Sequence, residues 1–400
     1  MALAHRAIRE GAAEATDFGA LLARVNALGV EVVLPASAEV DRDARFPKEA
    51  FAALKAEKLM SAYVPVEYGG MGLDVTQVSA ICEALGQYCA STAMIFAMHQ
   101  IQVACIVHHA LATPFFRDYV RELAKHQYLL ASATTELGIG GDVRQSICAV
   151  KVNDDYFTLE KQAPVISYGA AADAILVTCR KSEDAARNDQ VQVLARKEDL
   201  SLKQLSEWDT LGFRGTCSPG FEVKAIGRAE QILPVPYAFI HGKTMHPFAH
   251  IVWASLWVGL AADALNCARK AVQAEARRNP AAPPISATRL AEADMVLNSM
   301  RCTLRATLDE YHALLLGDDP EAFAGFAFAI RINNLKITCS QLVVDVVTRA
   351  MVICGIAGYR NDSKLSLGRH LRDAIGAGLM VNNDRILGQN ATMHIGLRES

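Results

Sequence analysis

The sequence predicts a mainly α protein with a small β domain: an N-terminal α-helical domain, a central β-barrel or sandwich, and a C-terminal four-helix bundle. Three observations carry this expectation. Residues 1–128 read as helices broken at a glycine turn, residues 129–237 hold short β-branched runs set close together, and residues 238–400 hold four long helical runs with short connections. Four hundred residues allow two to three domains at the usual ~150 residues each. With 52% hydrophobic and 21% charged residues the chain has ample material for a core, which excludes a disordered chain.

In FPKEAFAALKAEKL, Phe46, Phe51, Leu54 and Leu59 follow helical spacing, and Pro47 suits a first turn. PVEYGGMGLD ends that helix. The run from Val75 to Leu111 is apolar on most sides, the pattern of helices buried between others. SICAVKVNDDYFTLEKQ places a DD turn between β-rich runs and predicts a hairpin. DAILVTCRK, QVQVLARK and FEVKAIGRAEQIL add further strands. Four helices then follow, the first ending at Arg277 and Arg278 before NPAAPP, the third at the Gly355–Gly358 region, and the fourth running unbroken through RHLRDAIGAGLMVNNDRILGQNATMHI.

Forty Lys and Arg against 43 Asp and Glu give a net charge of −3, which argues against a polyanion-binding surface and so against nucleic acid as a partner. The longest apolar stretch, Ile251 to Ala262, stops at Asp263, too short to span a bilayer. The N-terminus lacks the apolar segment of a secretory signal. The ten cysteines form no CxxC and no zinc-finger spacing, so they read as small buried hydrophobes in a reducing cytoplasm, with no metal site. The expectation is a cytoplasmic protein without a membrane span.

Five motifs remain: TTELGIGGDV at 134–143, KQAPVISYGA at 161–170, WDTLGFRGTCSPGFEV at 208–223, CGIAGY at 354–359 and RHLRDA at 369–374. In this order the chain resembles the acyl-CoA dehydrogenase family of flavoproteins, and the resemblance runs from PVEYGGMG to LRDA. It implies FAD as cofactor. Thr134 and Thr135 would hold the pyrimidine edge of the flavin, where donors stabilise the reduced ring. Gly140 and Gly141 would lie along the cofactor and substrate, Gly141 standing where the family has serine. Val165, Ile166 and Ser167 match the strand against the ring, without its usual tryptophan. The Leu211–Ser218 stretch would be a structural turn inside the β domain. Arg277, or Arg278, would reach the pyrophosphate of a neighbouring subunit's FAD, although Asn279-Pro280 replaces the expected aromatic-glycine pair. Val352 stands for a glutamine, and Gly355 is kept.

The family's reaction needs a carboxylate to remove the α-proton of an acyl thioester while the β-hydrogen leaves as hydride to flavin. Counting from Arg372, that base falls on Val381. The alternative position on the first bundle helix falls near Ala249 and His250, with His250 then a substrate contact. The nearest carboxylate is Asp384, which could equally pair with Arg385 or cap a helix. His99 and His250 are the histidine candidates, each weighed against a satisfied core role. The resemblance therefore implies FAD-dependent α,β-dehydrogenation of an acyl-CoA or acyl-carrier-protein thioester. An electron acceptor such as an electron-transfer flavoprotein and a homodimer or homotetramer go with it. The alternatives are a flavin monooxygenase on the same fold and a non-enzymatic flavin-binding or ligand-binding relative.

Overall fold

Asp74, after the glycine turn, accepts from the Gln77 amide while the Gln77 side chain accepts from the Asp74 amide, a reciprocal cap that starts a helix. The computed structural model describes residues 17–397 apart from 279, 281, 318, 319 and 324. The expected absence of a signal segment and the reading of Asn279 lie outside the described residues. The N-terminal helices are α1 (Phe18–Leu28), α2 (Leu34–Arg42), α3 (Lys48–Ala56), α4 (Val75–Gly86), α5 (Ala90–His109) and α6 (Pro114–His126). A π-helical turn at Gly29–Val33 joins α1 to α2. Helix α5 is buried nearly all round, as its unbroken apolar pattern requires.

The β region forms two sheets. In the first, β1 (Leu130–Ala133) lies parallel to β4 (Ala174–Arg180), which pairs antiparallel with β5 (Gln190–Arg196). In the second, β2 (Lys151–Asn153), β3 (Tyr156–Ala163), β7 (Phe221–Arg228) and β6 (Leu200–Gln204) lie in that order, all antiparallel. Strands β3 and β7 alternate between exposed and buried, so one face of that sheet meets solvent. The predicted hairpin is β2–β3, with Asp154 in the left-handed region.

The C-terminal part contains α7 (Tyr237–Ile240), α8 (His246–Arg278), α9 (Ile285–Leu316), α10 (Phe326–Cys354), α11 (Ile356–Tyr359), α12 (Gly368–Leu379) and α13 (Asn383–Gly396). A π-helical turn at His241–Met245 links α7 to α8. The fourth predicted helix is two. The chain breaks at Val381, whose φ is +48°, and Asn382 then caps α13 by accepting from the amides of Asp384 and Arg385. The sequence reading ran through this break because the stop is made by a side-chain cap at Asn382 and not by Gly or Pro.

Four helical stretches among the described residues are long and apolar enough to cross a membrane: 18–42, 90–109, 237–278 and 326–354. This corrects the expectation drawn from the Ile251–Ala262 run, which counted only uninterrupted apolar residues. In the second and third of these stretches the most apolar 18 residues are 94% buried inside the protein itself, so their apolar character is spent on the core.

Two features set where the domains sit. Helix α8 crosses α4 at backbone contact: a Cβ on Gly259 would stand 2.0 Å from the Glu83 carbonyl oxygen, and one on Gly86 would stand 2.4 Å from that of Leu256. The Leu211–Ser218 turn is a joint between domains, not a turn confined to the β domain. The Phe213 amide donates to Asp373 Oδ1 at 2.6 Å, and Arg214 Nε donates to the Asp41 carbonyl at 2.8 Å. Arg372 pairs with Asp41 and donates to the Leu211 carbonyl at 2.9 Å.

The glycine crossing gives a direct test. Gly259→Ala should destabilise the protein by roughly 1–3 kcal/mol through overpacking. Gly388→Ala, on an exposed stretch of α13 with open space around it, should be neutral or stabilising by up to about 1 kcal/mol. Urea unfolding midpoints decide; equal midpoints for the two variants would contradict the crossing.

Candidate active site

Strand β1 delivers the TTELGIGGDV loop to the seam between the β domain and the bundle. The loop's base is a buried network. Glu136 accepts from Ser146 Oγ at 2.5 Å and from the amides of Ile147 and Cys148 at 3.1 and 2.6 Å. Lys161 lies 3.6 Å from Glu136 and donates to the carbonyls of Thr178 at 2.5 Å and Thr134 at 3.3 Å. Burial lowers the Lys161 pKa, and the Glu136 charge opposes that fall. Thr135 Oγ1 donates to the Val165 carbonyl at 3.1 Å, which ties the loop to the next segment. There Val165 is 38% exposed and Ser167 is half-buried, accepting from Ser218 Oγ at 2.9 Å. Ile166 is fully buried and its amide donates to the Pro219 carbonyl at 3.1 Å, so neither its side chain nor its N–H faces the seam. Gly138, Gly140 and Gly141 all have φ above +50°, which only glycine adopts cheaply.

The bundle contributes a wall of histidines and amides. His246 and His250, one turn apart on α8, have ring centroids 4.3 Å apart. His246 Nε2 donates to Asn333 Oδ1 at 2.8 Å; Asn333 donates to Asn390 at 2.7 Å, and Asn390 to Asn334 at 3.0 Å. His250 Nδ1 donates to the Ile332 carbonyl at 3.2 Å, which leaves Nε2 as its acceptor nitrogen. Burial lowers the His246 pKa to about 4 and that of His250 well below the usual value, so both rings are neutral near pH 7. Next to His250 is Trp253, whose buried indole N–H has no partner. Lys336 donates to the Val381 carbonyl at 2.9 Å and to Asn383 Oδ1 at 2.7 Å, and burial lowers its pKa to about 7. A cleft of about 320 Å³ opens beside this wall, lined by Asp142, Arg144, Gln145, Gln190, Tyr237 and His241.

The residues read from sequence separate into groups. Thr134, Thr135, Gly140, Gly141, Val165 and Ser167 share the β side of the seam. His250 belongs to the bundle wall. His99 is a core residue: Nε2 donates to the Met60 carbonyl at 2.7 Å and Nδ1 accepts from the Leu130 amide at 3.0 Å, so both nitrogens are committed. Asp384 is exposed in the first turn of α13, where its amide is capped by Asn382. Arg277 is exposed at the far end of α8, a 33-residue helix that spans roughly 50 Å. Gly355 ends α10 with φ +59°. Neither Arg277 nor Gly355 completes the seam within one chain. Three residues went unnoticed in the sequence, His246, Asn333 and Lys336, and Arg385 was read only as a partner for Asp384. A lysine inside the apolar run of α10 and two histidines at i, i+4 were the available signals.

Helices flanking a small double sheet, with a glycine loop and hydroxyls facing a bundle wall, define the class of three-domain flavoprotein oxidoreductases. Residues 17–136 match the acyl-CoA dehydrogenase N-terminal domain and residues 247–379 its C-terminal domain. The chain belongs to the acyl-CoA dehydrogenase family. It is 25% identical over 358 residues to the probable acyl-CoA dehydrogenase fadE25 of Mycobacterium leprae (strain TN), covering 88% of this chain and 89% of that one. In fold it is similar to butyryl-CoA dehydrogenase from Megasphaera elsdenii (TM-score 0.80, 20% identity, 95% and 98% covered). It is equally similar to FMN-bound TdsC from Paenibacillus sp. A11-2 (TM-score 0.81, 18% identity, 94% and 98% covered). The family and its neighbours support a flavin as the cofactor.

The residues present fit a flavin ring. Val165 is an exposed apolar residue beside two threonine hydroxyls and Ser167, and a Cβ on Gly140 would meet nothing within 4 Å. An apolar surface edged by donors suits a ring that is flat on its faces and polar along one edge.

The buried histidines set a pH dependence. His99, with its pKa lowered to about 4, and His250 stay neutral in the fold. Each takes up a proton on unfolding once pH falls below about 6.5. The His99 contribution is therefore full above pH 6.5 and is lost towards pH 4, at about 1.4 kcal/mol per pH unit, and that of His250 falls in the same direction. Urea titrations at pH 7 and 5 should show the loss, and His99→Gln should flatten it by about one proton. A slope the variant leaves unchanged would contradict the assignment.

Proposed function

We propose that this protein is a flavin-dependent monooxygenase on the acyl-CoA dehydrogenase fold, coupling a reduced flavin to oxygen on an organic substrate. One observation carries the reading. The position that should hold the carboxylate base is Val381, and the alternative position holds Ala249 and His250. Removing an α-proton needs a base with a raised carboxylate pKa, and neither position supplies one. When bound, the flavin, FAD by the family resemblance, supplies the two electrons that oxygen takes. Thr134, Thr135 and the glycine-loop amides hold the ring edge, and Val165 in place of an indole leaves that side of the ring less shielded. The acceptor nitrogen of His250 orients a substrate hydroxyl or amine. The tightly packed α5 and α8 helices keep water away from the seam.

A second reading keeps the family's dehydrogenation of acyl-CoA or acyl-carrier-protein thioesters, as in fatty-acid metabolism, with an electron-transfer flavoprotein as acceptor. It is favoured by the full-length likeness to fadE25 and by Asp384, three residues past Val381. Under either reading we place Arg277 and Gly355 at the cofactor of a neighbouring copy in a homodimer or homotetramer. Exposed apolar Val352, Ile356 and Tyr359 beside Gly355 support this. We also place the protein in the cytoplasm, a reading supported by ten free cysteines.

The experiment is to add saturated acyl-CoA thioesters to the flavin-loaded protein without oxygen and follow the oxidised flavin band. The band should persist. With NADH-reduced flavin and air, a panel of aromatic and amine compounds should then include one that is oxygenated, and His250→Ala should lower product formed per oxygen consumed at least tenfold. Bleaching by an acyl-CoA that Asp384→Asn abolishes would overturn this reading in favour of the second.

A further inference from the structure

The bundle sends one cation across the seam. Arg385, in the first turn of α13, donates from Nη2 to the Gly140 carbonyl. Its Nη1 lies 2.8 Å from where a Cβ on Gly141 would stand, with Nη2 at 3.0 Å. The guanidinium thus occupies the space into which a side chain at position 141 would project. Arg385 is exposed. Its guanidinium carries five N–H donors in a planar fork, of which the Gly140 carbonyl takes one. The neighbouring carboxylate Asp142 is occupied, 3.4 Å from Arg144 and accepting from Gln145 at 3.2 Å. Asp384 is exposed to solvent beside it.

We infer that Arg385 and the Gly140–Gly141 backbone form a phosphate subsite at the mouth of the seam, supplied from within one chain. A guanidinium beside glycines at positive φ is a donor set that suits the oxygens of a phosphate, through a bidentate fork and turned backbone amides. The space needed is present at Gly140, where nothing lies within 4 Å of an added Cβ. The phosphate has two possible sources: the flavin's own phosphate, which rests on the flavin reading above, or a phosphate of the substrate's carrier. In either case the charge comes from a position where the sequence pattern showed no ligand, while the arginine expected for this task, Arg277, lies at the far end of α8.

Calorimetric titration with inorganic pyrophosphate, comparing wild type with Arg385→Gln, tests the subsite without any flavin. The variant should bind roughly ten- to a hundredfold more weakly. Apo-protein titrated with riboflavin, FMN and FAD, and flavin-loaded protein titrated with coenzyme A, then identify the source. Weakened FMN and FAD with unchanged riboflavin assigns the flavin phosphate; weakened coenzyme A alone assigns the carrier. Gly141→Ser, which pushes the guanidinium aside, should shift the same ligands in the same direction. Equal affinities of wild type and Arg385→Gln for every phosphate ligand overturn the inference. A wild type that binds pyrophosphate through Arg385 but no flavin of any kind leaves the subsite standing and removes the flavin reading.

Discussion

The seam exists because one turn is pressed against one helix. Gly212 lies so close to α12 that a Cβ would stand 2.2 Å from the Arg372 carbonyl oxygen. Around that contact the Phe213 amide is held by Asp373, and Arg214 and Arg372 both reach Asp41 on α2. Together with the α4–α8 crossing this locks three domains against one another, since separate domains move unless their interface is large or locked. Burial raises the Asp373 pKa, yet its carboxyl accepts a buried backbone donor, and an unmet amide there would cost about 1–3 kcal/mol. The spacing between the glycine loop and the bundle wall follows from this joint.

The loop's position on the β side rests on Lys161 and Glu136, 1% and 5% exposed at their side chains. Isolated, each charge would be costly to bury, and their mutual attraction alone does not offset that cost. The surrounding backbone does. Glu136 takes two amides and a hydroxyl, and Lys161 takes two carbonyls, one of them that of Thr134. The pair therefore contributes placement more than stability: the Thr134 carbonyl is held from below, so the Thr134 and Thr135 hydroxyls stay at the seam.

The fold was legible in the sequence because periodicity changes twice along the chain, from helical to strand spacing after His126 and back at Tyr237. The candidate loop on the β side could be picked out from the sequence because the hydroxyls and glycines in TTELGIGGDV keep their order whatever surrounds them. What escaped is made by distant contacts. His99 reads as a histidine on an apolar helix; only the approach of Met60 and Leu130 uses both its nitrogens. Lys336 reads as a surface residue until α13 folds back over it. The break at Val381 is set by the Asn382 side chain, and a β-branched residue at positive φ follows no local preference. Ile166 was expected at the seam as part of a three-residue match, but past the end of β3 the chain turns and buries it between Val165 and Ser167.

The departures from the family pattern converge on one electrostatic change. Val381 stands where the resemblance puts a carboxylate, Gly141 admits the guanidinium of Arg385, and the neutral imidazoles of His246 and His250 add no negative charge. The joint residues Gly212, Asp373 and Arg372 are unaffected by these changes, so the scaffold and the chemistry vary separately. A site that loses an anion and gains a cation favours whatever carries negative charge within it. Under the proposed reading, the same cation would favour the phosphate of a bound ligand at the mouth of the seam. Fixed donors exert that effect without reorganising during the reaction. Under that reading Val381 and Arg385 together make one change in the charge that the seam can hold.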